Sequence, residues 1–204
     1  GATGVGTLMD RPRADGLLDR TIVVLLSDHG EEFKEHGSVP HERLYTPVTH
    51  IPLLIRLPGG ARGGSRIDEA VESIDLMPTL LDLLRLAAPE PPDGVSLVPL
   101  LDPGGELAPL PAVAVSVRGR DLLGTAPARA LRSGGWKLIE GAAEELYELG
   151  SDPGETRNLA STQRGRAAEM RRILESIEPL ASLAPRAAPA RIATGSVPLL
   201  EEAT

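Results

Sequence analysis

The sequence predicts an α/β fold in which a strand–loop–strand–helix unit is followed by a small antiparallel sheet with a helix. Three patterns predict it. Residues 21–26 form an unbroken apolar, β-branched run of strand length. Residues 74–86 carry apolar side chains at 74, 76, 77, 80, 81, 83, 84 and 86, the spacing of a helix with a wide buried face. After about residue 110, four short strand candidates separated by turn residues precede one amphipathic helix.

In chain order, residues 5–19 read as a helix kinked or broken near Pro12. The run 21–26 reads as a strand buried on both faces, as in a parallel sheet. Residues 51–57 are a second apolar strand, stopped by Pro58-Gly59-Gly60. Ser73 or Asp75 is placed to cap the helix at 74–86, and Pro78 falls where a first turn tolerates it. Residues 87–105, rich in Pro and Gly, read as a connection over the surface. The strand candidates that follow are 112–118, 128–132, 136–140 and 145–149, with a turn at 151–154. A helix at 163–177 presents Ala167, Met170, Ile173, Leu174 and Ile177 on one face. This divides the chain into an α/β part at 1–108, an antiparallel subdomain at 109–182 and a loosely held tail at 183–204.

Composition removes several function classes. With 204 residues and 41% hydrophobic content, the chain can bury one substantial core. Phe33, Tyr45, Trp136 and Tyr147 are its whole aromatic set, too few for a base-stacking platform. The 29 acidic residues outnumber 21 basic ones, and the net charge of −8 repels a phosphate backbone, so no nucleic-acid partner is expected. No cysteine is present, which excludes disulfides, thiolate metal sites and a cysteine nucleophile within the chain. The apolar runs fall far short of the roughly 20 residues of a membrane helix. No leader is visible, so the compartment stays open, with bacterial periplasm or cytoplasm the expectation.

All four histidines, His29, His36, His41 and His50, fall within a 22-residue window. That window opens directly after the 21–26 strand, and open α/β sheets keep their ligand sites at strand carboxyl ends. Asp28 and His29 supply one hard oxygen and one imidazole, a mixed set that suits a divalent cation. Gly30 lets the backbone turn away. No G-x-S-x-G, phosphate-binding loop or zinc-protease spacing occurs.

Together these residues resemble a family. Ser27-Asp28-His29-Gly30-Glu31, Glu35-His36-Gly37, Tyr45, and the strand and Pro58-Gly59 that follow are similar to the second half of a sulfatase, in the alkaline phosphatase superfamily. The helix at 74–86 follows in the family's order, and the segment around Trp136-Lys137-Leu138, Leu146-Tyr147 and Asp152-Pro153-Gly154-Glu155 looks like its small C-terminal domain. The match runs from about residue 15 to 180. The resemblance implies the remainder of a doubly wound alkaline-phosphatase-like sheet plus the small antiparallel sheet.

It also implies roles. Asp28 and His29 match the family's second pair of metal ligands; calcium is the usual ion, and the imidazole also suits manganese or zinc. His41 stands where most members carry a lysine that touches the sulfate and the leaving oxygen. As a histidine, its charge there depends on pH near neutrality. His36 is a substrate-loop candidate that orders the loop or contacts substrate, His50 is read as structural, and Lys34 as a solvated side chain. The formylglycine nucleophile belongs to a C/S-x-P-x-R motif that precedes these elements in the family. Ser38-Val39-Pro40 with Arg43 misses that spacing. The chain alone is therefore expected to need its N-terminal half and to lack turnover. The implied substrate is an anionic ester of a small molecule or glycan. Two alternatives stay open: a phosphodiesterase, phosphonate monoester hydrolase or phosphoethanolamine transferase relative, and a non-catalytic binding or assembly module.

Overall fold

The computed structural model describes residues 2–37, 43–102, 104–116 and 128–177. The chain begins with helix α1 (Ala2–Ala14), which carries Pro12 in its last turn. There the missing N–H costs a single intrahelical bond, and the helix runs only two residues further. A tight turn at Leu17–Arg20 then buries Leu18. Strand β1 (Val23–Leu26) follows, then the one-turn helix α2 (Thr46–Thr49), then β2 (Leu53–Arg56).

β1 and β2 pair antiparallel, with Val24 opposite Ile55 and Leu25 opposite Leu54. This corrects the expectation of a parallel strand buried on both faces. A parallel return needs a crossover of a dozen or more residues that carries the chain back to the strand's starting end. The segment between β1 and β2 holds only α2 as described helix, and the chain comes back from the end it left. The pair is also open: Leu26 is 41% and Leu54 59% exposed.

Helix α3 (Leu76–Leu83) is shorter than the predicted 74–86, because residues 73–75 form a tighter turn ahead of it. Asp75 does stand at its start, but its carboxylate serves elsewhere. Oδ2 accepts from the Glu72 amide at 2.8 Å and Oδ1 from the Val95 amide at 2.9 Å. The Thr79 hydroxyl donates to the Asp75 carbonyl and accepts from the Leu97 amide at 2.9 Å. These bonds tie the 87–105 connection down. It is more than a surface loop, since it contains helix α4 (Val98–Leu101) and buries Leu97 and Leu100.

The C-terminal part follows the prediction closely. Strands β3 (Ala112–Ser116), β4 (Ala128–Ser133), β5 (Trp136–Glu140) and β6 (Glu144–Glu148) form an antiparallel sheet in sequence order. Helix α5 (Arg164–Ser176) packs on one face, where Leu131, Leu138 and Leu146 meet Ala167, Met170 and Leu174. The period of two sends Ala130, Ile139 and Tyr147 to the other face, where Leu44 and Tyr45 cover them. So the sheet is closed by its own helix on one side and by the segment leading into α2 on the other. Among the described residues, no helix is long and apolar enough to cross a membrane.

Candidate metal centre

Asp28 and His29 emerge from the end of β1 into a turn held by Ser27, whose hydroxyl donates to the His29 carbonyl at 2.6 Å. Asp28 Oδ1 accepts the His29 amide at 3.0 Å, and its side chain is 88% exposed. Backbone amide hydrogen bonds, that of His29 first, hold the Asp28 carboxyl below its ordinary value of 3.8, so it is anionic across the physiological range. His29 Nδ1 lies 2.7 Å from the Gly30 carbonyl, which can only accept, so the proton is assigned to Nδ1. Nε2 then presents its lone pair on the side of Asp28, 3.7 Å from Oδ2.

The two side chains therefore converge, as adjacent residues of a strand need not, because the turn ends the alternation. One cation with bonds of about 2.0–2.5 Å can bridge donors at that separation. A carboxylate oxygen and an imidazole nitrogen with its tautomer set by a backbone carbonyl fit a divalent metal. They make part of a coordination shell: among the described residues no third His, Cys, Asp or Glu joins them. Neither lines the cavity of about 230 Å³ beside Glu72 and Pro111 or the open groove of about 710 Å³ beside Leu57 and Leu84.

Gly30 fixes the exit from this turn. Its amide donates to the Val48 carbonyl of α2 at 2.8 Å, and a Cβ at this position would lie 1.9 Å from the Pro47 carbonyl oxygen. Only glycine allows the two backbones this close.

His36 is largely buried and fully engaged. Nδ1 is 2.5 Å from Glu32 Oε1, Nε2 is 3.0 Å from the Gly154 carbonyl, and the ring stacks on Tyr45 at 3.7 Å. That geometry makes it a strut between the loop and the C-terminal subdomain, with both nitrogens facing protein acceptors. His41 lies outside the described residues. Lys34 is exposed, and the His50 amide closes α2 on the Thr46 carbonyl at 2.9 Å.

Several residues of this neighbourhood escaped sequence reasoning. Glu32 is wholly buried, and its Oε2 has no hydrogen-bond partner among the described residues. Lys137 and Glu155, also buried, meet at 2.7 Å, as an ionic contact without hydrogen-bond alignment at Glu155 Oε1. Burial pushes the Lys137 ammonium down from its ordinary value, and the Glu155 charge opposes that shift. A signal did exist for Lys137: strand alternation puts it on the same face as Ile139, where a lone charge demands a partner.

Three comparisons bear on this arrangement. The family model "Sulfatase" matches residues 3–86. The chain is 32% identical over 185 residues to arylsulfatase K of Xenopus laevis, covering 85% of this chain and 34% of that protein. This is a sulfatase-family chain. It is also 34% identical over 146 residues to the Delta 4,5-hexuronate-2-O-sulfatase of Bacteroides thetaiotaomicron, covering 69% of this chain and 30% of that one. The sulfatase chain therefore spans about a third of the length of these curated relatives. Among solved structures, the phosphonate monoester hydrolase of Agrobacterium radiobacter superposes with a TM-score of 0.71 at 25% identity, over 87% of this chain and 40% of that one. The fold is thus the mixed α/β fold of sulfatases and phosphonate hydrolases, with antiparallel sheets. Sulfatases generally use a divalent metal and a formylglycine.

Proposed function

We propose that these residues belong to a metal-dependent hydrolase of sulfate esters, in which Asp28 and His29 are one pair of ligands to a divalent cation. The observation that carries the reading is the convergence of Asp28 Oδ2 and His29 Nε2, with the imidazole tautomer set by the Gly30 carbonyl. Bound there, a cation supplies charge neutralisation at the ester oxygens and a lowered pKa for the nucleophile. Calcium is the first choice and manganese or zinc the alternatives. The chain's own part is to hold the Asp28 charge, to orient the His29 ring through Nδ1 on the Gly30 carbonyl, and to brace the following loop through His36. His41 is the proposed proton donor to the leaving oxygen, with a charge that varies near neutral pH. The nucleophile, a formylglycine, is proposed to come from sequence outside this chain. The proposed substrate is an anionic ester of a small molecule or glycan, a reading supported by the hexuronate sulfatase among the relatives.

Titration of Mn²⁺ into the 204-residue chain tests the ligand pair. Binding should weaken at least about tenfold in Asp28→Ala and His29→Ala. Equal affinity in wild type and Asp28→Ala removes this carboxylate from the site. No hydrolysis of aryl sulfates is expected from the chain alone; hydrolysis abolished by Ser38→Ala would make Ser38 the nucleophile.

The likeness to a phosphonate monoester hydrolase structure favours one second reading, phosphonate or phosphate diester hydrolysis at the same metal pair. Competition separates the two: sulfate displacing Mn²⁺-bound phosphonate poorly would favour it.

A further inference from the structure

The turn α2 joins the metal loop to the C-terminal sheet. Its first amide, at Thr46, donates to Glu155 Oε2 at 2.5 Å. The Lys137 ammonium reaches the hydroxyls of Thr46 and Thr49, each at 3.3 Å. Two residues on from Thr46, the Val48 carbonyl accepts the Gly30 amide at 2.8 Å. The Gly30 carbonyl in turn holds His29 Nδ1 at 2.7 Å. A continuous set of directional contacts therefore runs from β5 and the turn after β6, through one rigid helical turn, to the imidazole.

A buried ion pair is weak evidence for stability, since apolar residues of the same volume serve a core as well. What an ion pair adds is direction. Here the carboxylate satisfies an otherwise orphaned helix N–H and the ammonium grips two hydroxyls of the same turn, so α2 has one placement. An apolar contact would let a four-residue helix slide.

We propose that the Lys137–Glu155 pair positions the Asp28–His29 ligand pair, acting through α2 and Gly30. Both are positioning residues and touch no reacting atom. The inference deepens the metal-ligand reading above and rests on it for its consequence, although the mechanical coupling is measurable without metal.

The test uses the ¹⁵N-labelled 204-residue chain. Three variants are compared: Lys137→Met with Glu155→Leu, which replaces the pair by apolar volume; Glu155→Gln, which keeps an acceptor for the Thr46 amide; and Glu140→Gln, which removes a β5 carboxylate that pairs with Arg129 of β4 and Arg171 of α5. The readouts are the Gly30 amide resonance, the His29 imidazole ¹⁵N shifts and the Mn²⁺ affinity. The double variant should move both resonances and weaken Mn²⁺ binding about tenfold. Glu155→Gln should move them less, and Glu140→Gln should leave them in place, which a general loosening of the subdomain would not. Unchanged Gly30 and His29 resonances in a folded double variant overturn the proposal; if that variant does not fold, unchanged resonances in Glu155→Gln do so. Mn²⁺ binding that ignores Asp28→Ala defeats the metal reading, while the two resonances still decide whether the pair sets the loop.

Discussion

Gly30 and Pro47 approach so closely that a methyl group on Gly30 would sit 1.9 Å from the Pro47 carbonyl oxygen. Gly30→Ala must therefore move α2 or the Asp28–His29 turn. The expected result is Mn²⁺ affinity lower by at least about tenfold, with the resonances of Leu131 and Leu138 in the distant core unmoved. Wild-type affinity in this variant would show that the turn has slack and that the contact does not govern the ligands.

Leu138 is fully buried between Leu131 and Leu146 under α5. Leu138→Ala should destabilise the chain by about 2–5 kcal/mol through lost burial and the cavity left behind. Removing the exposed Arg166–Glu169 pair should cost less than about 1 kcal/mol. Urea midpoints at constant m-value check both.

Lys137→Met alone leaves the buried Glu155 charge unpaired, and a loss of about 3–5 kcal/mol is expected. Adding Glu155→Leu should recover most of it. A double variant no more stable than Lys137→Met would mean that the Thr46 amide, stripped of its acceptor, dominates the energetics.

Asp152 accepts from the amides of Arg157 and Thr156, which hold its carboxyl below the ordinary 3.8. The folded chain thus takes up this proton less readily than the unfolded one. The stabilisation is complete above about 3.8 and is lost as pH falls through the lower folded value. The Thr156 and Arg157 amide shifts should titrate together below that point, and Asp152→Asn should abolish the step. Titration of those amides at higher pH would reverse the sign.

The β1–β2 pair leaves Leu26 at 41% exposure on one face and Leu54 at 59% on the other, with Met77 at 54% on α3. Such uncovered apolar surface drives association. Sedimentation of the chain should show self-association that Leu54→Lys reduces. A wild-type monomer at high concentration would mean that this surface is innocuous.

Local patterning made much of the molecule readable in advance. The alternation and turns of 128–149 located the sheet and its facing leucines, because a period of two needs no knowledge of distant residues. The place of Asp28 and His29 after an apolar run was likewise visible, since both elements are contiguous. The direction of β2 was not visible, because an apolar run pairs as readily parallel as antiparallel, and only the path of the intervening chain chooses. Tertiary structure also assigned His36, whose Nε2 is met by a carbonyl 118 positions away at Gly154, and Thr46, whose amide is met by a carboxylate 109 positions away at Glu155. Contacts of that range leave no periodic trace in a sequence, because they depend on how finished elements pack and not on how each one forms.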